Sequence, residues 1–223
     1  MDDRFISTNC TGRLRCLCLA LLLTVGISTE SPAFPGSAQD GVRNLYDTLL
    51  ATMKDSRALG EGGRYARLAP VVGQVFDVPL MTRLSIGPYW ASLNAAQRQR
   101  VTESYGRYVS AIYADRFDSY DGQRLEVTGE RPASFGVLVK SEIIKADGEP
   151  VEVDYVMRSN GAGWLISDIY LDSAISEVAT RRSEFAAILK NSGIDGLIMA
   201  LDRKVYSLTG TTGGPSRTEN QRG

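Results

Sequence analysis

The side chains of this sequence that could do chemistry are carboxylates and tyrosines, because the chain contains no histidine. Its three cysteines, Cys10, Cys16 and Cys18, all lie close to the amino terminus. Downstream of them the sequence therefore excludes histidine-based triads, thiol nucleophiles, disulfides and ordinary zinc sites. We predict neither a cofactor nor a metal site.

One carboxylate, Asp168, is predicted to lie on the same strand face as the apolar and aromatic residues Trp164, Ile166 and Tyr170. Such a carboxylate can have a raised pKa and act as a general acid or base. The alternative is a structural aspartate that hydrogen-bonds locally or pairs with an arginine such as Arg182. Because no second catalytic group is identifiable nearby, we favour the structural role and predict no catalytic residue.

Neither the glycines nor the charges of the chain point to a nucleotide or a nucleic acid. Gly60, Gly62 and Gly63 follow no predicted strand and lack the Gly-Lys-Ser/Thr pattern of a phosphate-binding loop, so residues 60–64 are predicted to form an ordinary loop. The formal net charge at pH 7 is −1, and no basic block stands out. This composition argues against a nucleic-acid partner.

The amino-terminal residues have the three parts of a secretory signal. Arginines give the start a positive charge, residues 17–27 are apolar and uncharged, and small residues and prolines follow. The apolar run is shorter than the ~20 residues that span a bilayer. We therefore predict a cleavable signal peptide over residues 1–38, with cleavage after Ala33 or Ala38, and a periplasmic location.

Helical periodicity dominates the next part of the chain. Amphipathic or short helices are predicted at 42–53, 65–75 and 79–86, with Asp77 as the cap of the third. A longer helix is predicted at 94–117, opening on a capping box of Asn94 and Gln97. One stripe of this helix carries Val101, Tyr105, Tyr108, Val109, Ile112 and Arg116, with Tyr113 at its edge.

The period then changes from 3.6 to 2, which indicates strands. Short connections between them predict an antiparallel meander. In the third strand the apolar residues share one face and charged residues the other, so one side of the sheet should face water. The four predicted strands are 124–128, 136–144, 151–158 and 164–171, with turns at 130–133, at Asp147-Gly148 and at Asn160-Gly161.

Two further helices are predicted, at 173–190 and from 194 to 208, separated by a C-cap signal at Ser192-Gly193. Residues 209–223 lack apolar periodicity and are predicted to be a disordered tail. The expected architecture is one α+β domain over 39–208, a four-stranded antiparallel sheet wrapped by N- and C-terminal helices. Such a sheet closes on a solid core or leaves an apolar pocket between sheet and helices.

The order of four sequence segments indicates a family of proteins. The segments are FDVPLMTRLSIGPYW (76–90), YVSAIYADRFDSYDGQ (108–123), GEPVEVDYVMRSNGAGWLISDIYLD (148–172) and RRSEFAAILKNSGIDGLIMAL (181–201). Together they resemble the periplasmic toluene-tolerance or MlaC family of lipid-transport proteins, over about residues 40–208. The stretch DSAISEVATRRSEF departs from the usual family form. In this stretch the chain looks like the hopanoid-associated, HpnM-like branch of the family.

The resemblance implies a soluble carrier of phospholipid, or of hopanoid, without enzymatic activity. Its implied partners are the substrate-binding subunit of an inner-membrane ABC transporter and an outer-membrane lipoprotein complex. Acyl chains would lie between the sheet and the helices, with the head group facing water. Periodicity and this implied pocket together predict nine lipid-binding residues: Leu80, Leu84, Tyr105, Val109, Tyr113, Val139, Val153, Tyr155 and Met157.

Two other classes of function fit the sequence. One is a small isomerase-like enzyme on a cone-shaped α+β scaffold, in which Asp168 would act with Tyr155 or Tyr170. The other is an interaction domain without a pocket, in which the same aromatic residues form an ordinary core.

Overall fold

The computed structural model describes residues 36–210. Residues 1–35 of the predicted signal peptide and residues 211–223 of the predicted tail lie outside this range. Within it the chain is α+β, as predicted. The elements are α1 (Ala38–Lys54), α2 (Ser56–Val75), α3 (Val78–Ile86), a 3-10 turn (Gly87–Ser92), α4 (Ala95–Arg116), β1 (Arg124–Ala133), β2 (Gly136–Ile144), β3 (Pro150–Ser159), β4 (Trp164–Leu171), β5 (Ile175–Ser176) and α5 (Glu177–Thr209).

Side-chain caps define where the helices begin. The Asp77 carboxylate accepts a hydrogen bond from the Leu80 amide at 3.0 Å, which starts α3. Asn94 and Gln97 satisfy each other's backbone amides at 2.9 and 3.0 Å, which starts α4. Both predicted caps are confirmed, and they fix the residue at which each helix begins.

Two glycines interrupt helices with a non-helical kink. Residues 60–64, predicted to be a loop, lie inside α2, which turns at Gly60 (φ 61°, ψ −173°). Gly193 (φ 62°, ψ −165°) bends α5 in the same way and separates the two predicted C-terminal helices. A side chain would strain this backbone conformation, whereas glycine adopts it and lets the helix resume on the other side.

The sheet is an antiparallel meander in the order β1-β2-β3-β4-β5, one short strand more than predicted. The predicted turn at 130–133 is wrong, because β1 stays paired with β2 as far as Ala133 opposite Gly136. The hairpin turns instead at Ser134 and Phe135. Gly136, at φ 144°, lies so close to the carbonyl of Met157 that a Cβ would not fit.

A bulge in β4 changes which side chains face the helices. Ile166 and Asp168 pair with neighbouring residues of β3, which leaves Ser167 as the extra residue between them. Past this bulge the alternation is reversed, so that Ile169 and Leu171 face inward. The expectation that Asp168 shares a face with Ile166 is therefore wrong.

The helices cover one face of the sheet. Helix α1 packs directly against β1 to β4, and α2, α3 and α5 reach β4. Helix α4 packs against α2, α3 and α5, and its tyrosine stripe faces the sheet across a cavity. The fully buried core beside this cavity includes Leu45, Leu49, Leu68, Val72, Phe76, Ile166, Leu197 and Val205.

None of the helices between residues 36 and 210 combines the length and the hydropathy of a bilayer-spanning segment.

Candidate functional site

A cavity of about 330 Å³ lies between α4, the inner face of the sheet and the first turns of α5. Its volume falls at the lower end of the ~300–1,000 Å³ typical of small-molecule pockets. The apolar and aromatic side chains around it are Met53, Met81, Tyr105, Tyr108, Val109, Ile112, Tyr113, Phe117, Ile143, Val151, Val153, Tyr155, Ile169 and Leu171.

Five of the predicted pocket residues lie together in this lining: Tyr105, Val109, Tyr113, Val153 and Tyr155. The three on α4 follow each other at intervals of four, so they stack along one side of the helix. The two on β3 are separated by one residue and point to the same side of the sheet. The periodicity of the helix and the periodicity of the strand therefore place these five side chains around the same cavity.

Two predicted pocket residues on α3, Leu80 and Leu84, do not line the cavity. The buried side of α3 carries Met81 and Ser85, one position further along, and Leu84 is 38% exposed. A shift of one residue turns a helix by about 100°. The side of α3 that was predicted to face the pocket therefore differs from the buried side by a rotation of about 100° around the helix axis.

Val139 and Met157 are also absent from the lining, although both are fully buried and face inward. Val139 pairs with Tyr155 across β2 and β3, and Met157 lies one step further along the same face. Each such step is about 6.6 Å along a strand. The cavity ends at Tyr155, so these two residues belong to the solid core beyond it.

The sequence interpretation missed lining residues from several sources. Met53 comes from α1, on which no pocket residue was predicted, and Met81 comes from α3, on which the neighbouring position Leu80 was predicted instead. Ile169 and Leu171 reach the cavity only because of the bulge at Ser167. The third group is polar or charged, and an amphipathic pattern assigns most such residues to solvent: Arg116, Gln123, Lys145, Glu177 and Arg181. Further apolar and aromatic side chains line the cavity beside the predicted ones: Tyr108, Ile112, Phe117, Ile143 and Val151.

One wall of the cavity is charged and internally balanced. Arg181 is 9% exposed and donates to Glu177 and, at 2.6 Å, to Glu184. Its guanidinium carbon lies 5.3 Å from the centre of the Tyr108 ring. Arg116 approaches Glu177 at 4.0 Å. Because the two arginines face two glutamates, this wall is polar without being strongly cationic.

Tyrosine hydroxyls meet at the base of the cavity. The Tyr46 and Tyr155 rings pack edge to face at 5.9 Å, and the Tyr46 hydroxyl is hydrogen-bonded to Ser141 at 2.6 Å. Ser141 in turn donates to the Val153 carbonyl. Burial raises the pKa of Tyr155 well above its ordinary range and the pKa of Tyr105 to about 12. These hydroxyls stay protonated at neutral pH and do not supply a base.

Asp168 has a structural role. Its carboxylate accepts hydrogen bonds from the Ser176 hydroxyl at 2.6 Å and from the Val178 amide at 3.1 Å, and so joins β4 to the start of α5. It does not line the cavity, and Arg182 lies against Gly87 instead of pairing with it. Across residues 36–210 no group of His, Cys, Asp and Glu is arranged to hold a metal ion.

The fold and the site together define a class of protein: a single α+β domain whose curved meander sheet and helices enclose a pocket with apolar walls and one charged side. Within that class, the family model of the MlaC protein matches residues 43–203. The chain belongs to the MlaC family, which confirms the family resemblance of the four sequence segments.

Individual proteins also resemble the chain. It is 24% identical over 123 residues to the intermembrane phospholipid transport system binding protein MlaC of Haemophilus influenzae. That alignment covers 53% of this chain and 57% of the Haemophilus protein, so it spans little more than half of that relative. A phospholipid-binding protein from Ralstonia solanacearum, solved in complex with a phospholipid, superposes with a TM-score of 0.65 at 26% identity. The match covers 78% of this chain and 99% of the Ralstonia chain.

Proposed function

We propose that this protein is a periplasmic carrier that binds phospholipid, with acyl chain in the cavity and the head group at its charged side. The observation that carries the proposal is the cavity itself, apolar along α4 and the sheet and charged at Arg116, Glu177 and Arg181. An amphiphile matches this division, whereas a wholly polar or a wholly apolar ligand leaves one wall unmatched. The phospholipid bound to the Ralstonia protein supports the same ligand class.

The size of the cavity is compatible with useful affinity. At ~30 Å³ for a group the size of a water, 330 Å³ holds on the order of ten methylenes. Each buried methylene contributes ~0.8 kcal/mol, so ten give about 8 kcal/mol, the free energy of a micromolar complex before the cost of immobilising the lipid. No cationic clamp on the head group is needed.

A second acyl chain needs more room than this volume provides. Met53 and Met81 are best suited to provide this room, because their unbranched side chains repack easily. Helix α4 forms the wall of the cavity opposite the sheet. We expect the lipid-loaded protein to hold α4 further from β3.

The remaining parts of the proposal concern the route. We propose that the chain is exported by its amino-terminal signal and moves lipid between an outer-membrane lipoprotein complex and an inner-membrane ABC transporter. The name of the Haemophilus relative, a binding protein of an intermembrane phospholipid transport system, supports this assignment. We propose a carrier without enzymatic activity, because Asp168 is engaged in joining β4 to α5.

Two valines on the same sheet face test the ligand site. Val153 lines the cavity, whereas Val139 is buried in the core beyond it. Val153→Trp should fill the cavity, so the variant should fold and co-purify with several-fold less phospholipid. Val139→Trp should overpack the core and lower the free energy of unfolding by ~1–3 kcal/mol.

Lipid content by extraction and mass spectrometry, and unfolding in urea, distinguish the two variants. The proposal fails if Val153→Trp keeps the full lipid content, or if it is destabilised as much as Val139→Trp.

A further inference from the structure

A second concave surface lies on the outer side of the helical wall of the cavity. We call it the arginine groove; its volume is about 510 Å³. In α3, Met81 faces the cavity while Arg83 faces the groove, and in α5 the same division separates Arg181 from Arg182. The groove is lined by Arg83, Leu84, Gly87, Pro88, Trp90, Ala91, Arg98 and Arg182.

The three arginines of this groove, Arg83, Arg98 and Arg182, have no acidic partner within residues 36–210, and no acidic side chain lines the groove. Three guanidinium groups therefore converge on one concavity without neutralisation. The arginines that do form ion pairs lie elsewhere: Arg43, Arg67, Arg100, Arg107, Arg116, Arg124 and Arg181.

One of these arginines, Arg98, is held in place, and a second, Arg182, lies against the backbone of Gly87. The Arg98 guanidinium lies 5.5 Å from the centre of the Trp90 ring and donates to the Trp90 carbonyl at 3.3 Å, while its buried Nε has no partner. Arg182 lies across Gly87, where an added Cβ would be only 2.8 Å from its Nε. A guanidinium held in this way loses less conformational entropy on binding than one extended into water.

We propose that the arginine groove is a docking site for a protein segment that carries carboxylates together with an apolar residue. Arginine forks bind carboxylates in bidentate geometry, and Leu84, Pro88 and Trp90 supply apolar contact between them. A membrane surface fits less well, because a flat array of head groups does not enter a concavity and the chain carries a net charge of −1. Docking of such a segment in the groove does not require lipid in the cavity.

A peptide measures this docking directly. The probe is a fluorescein-labelled peptide of sequence GEELEEG with blocked ends, titrated with the full processed protein and followed by fluorescence anisotropy. We expect Arg182→Glu and, separately, Arg83→Glu to weaken binding roughly tenfold, since each replaces an attraction by a like-charge repulsion. Arg203→Glu makes the same change in net charge at an exposed position of α5 outside the groove and should stay within about twofold of the parent.

The remaining outcomes overturn the proposal. Equal weakening by Arg203→Glu would mean an unspecific charge effect, and no binding by the parent would mean no such site. Phosphatidylglycerol vesicles that bind the parent and not Arg182→Glu, while the peptide does not bind, would assign the groove to a lipid surface. A dimer that dissociates on Arg182→Glu in sedimentation would assign it to a second copy. Lipid content is measured on the same samples, so a failed carrier and a failed groove are distinguished.

Discussion

At the scale of single residues, the cavity tyrosines combine an apolar ring with a buried hydroxyl. The rings of Tyr105, Tyr113 and Tyr155 line the cavity, and these side chains are almost completely shielded from water. Burial raises the pKa of all three phenols, because a phenolate would have to ionise away from solvent. The same burial that makes the wall apolar therefore links the stability of the fold to pH.

This linkage predicts a loss of stability in alkali. The pKa of Tyr105 is about 12 in the folded chain and ~10 when unfolded, so the folded state binds its proton more tightly. The stabilisation is complete below pH ~10 and is lost as the pH rises to about 12, by about 3 kcal/mol.

Urea unfolding of the parent and of Tyr105→Phe at a series of pH values measures this effect. Relative to the variant, the parent should lose stability above pH 10. A difference that does not change with pH would contradict the assignment of a buried, neutral Tyr105.

Asp168 allows a residue-scale test between a carrier and an enzyme. Asp168→Asn keeps an acceptor for the Val178 amide and disturbs the bond to Ser176, so it should cost about 1 kcal/mol of stability. Lipid exchange between vesicles should stay within a few fold of the parent. The removal of a general acid or base typically lowers a rate by ~100-fold or more. A turnover of steroid- or isoprenoid-like substrates that collapses in this variant alone would favour the isomerase.

At the scale of elements, the limits of most helices and strands follow from local signals. The capping box at Asn94 predicted the start of α4, and strands β2 and β4 begin and end where their alternation does. Five of the nine predicted site residues followed from the same two periodicities, because the stripe of α4 and the face of β3 point to the same cavity. These signals are local, and each is complete within a few residues.

The sequence interpretation failed where the direction of an element depends on a partner. The bulge at Ser167 reverses the face of β4, and nothing within β4 distinguishes Ser167 from an ordinary strand residue. The error of one position in α3 has a similar origin, because both sides of that helix carry apolar residues and only the packing against β4 and α5 selects one. Register between elements is decided by tertiary packing, which overrides the local pattern.

The start of α1 predicts the processing site. Ser37 and Asp40 form a capping box, with hydrogen bonds of 3.2 and 3.0 Å. Cleavage after Ala33 preserves this cap, which contributes about 1 kcal/mol, whereas cleavage after Ala38 removes it. Edman sequencing of the periplasmic protein should therefore begin at Phe34. A chain that begins at Gln39, or an intact Met1 chain in the membrane fraction, would contradict this.

At the scale of the whole molecule, the helical wall has two sides. Its inner side and the sheet enclose the largely apolar cavity, and its outer side carries the arginine groove. Helices α3 and α5 present apolar or paired side chains to the cavity and unpaired arginines to the groove. A partner that docks in the groove would therefore contact the helices that border the ligand. This arrangement suits a carrier, which has to hold its cargo in transit and release it at a partner.

The most direct test of the carrier account is native mass spectrometry of protein freshly purified from its periplasm, followed by organic extraction and identification of the lipids. The account predicts a near-stoichiometric complex with phospholipid, reduced in Val153→Trp. A hopanoid at that level, with little phospholipid, would replace the proposed ligand and leave the carrier in place. A protein that carries neither lipid, even after incubation with membranes, would contradict the carrier account itself.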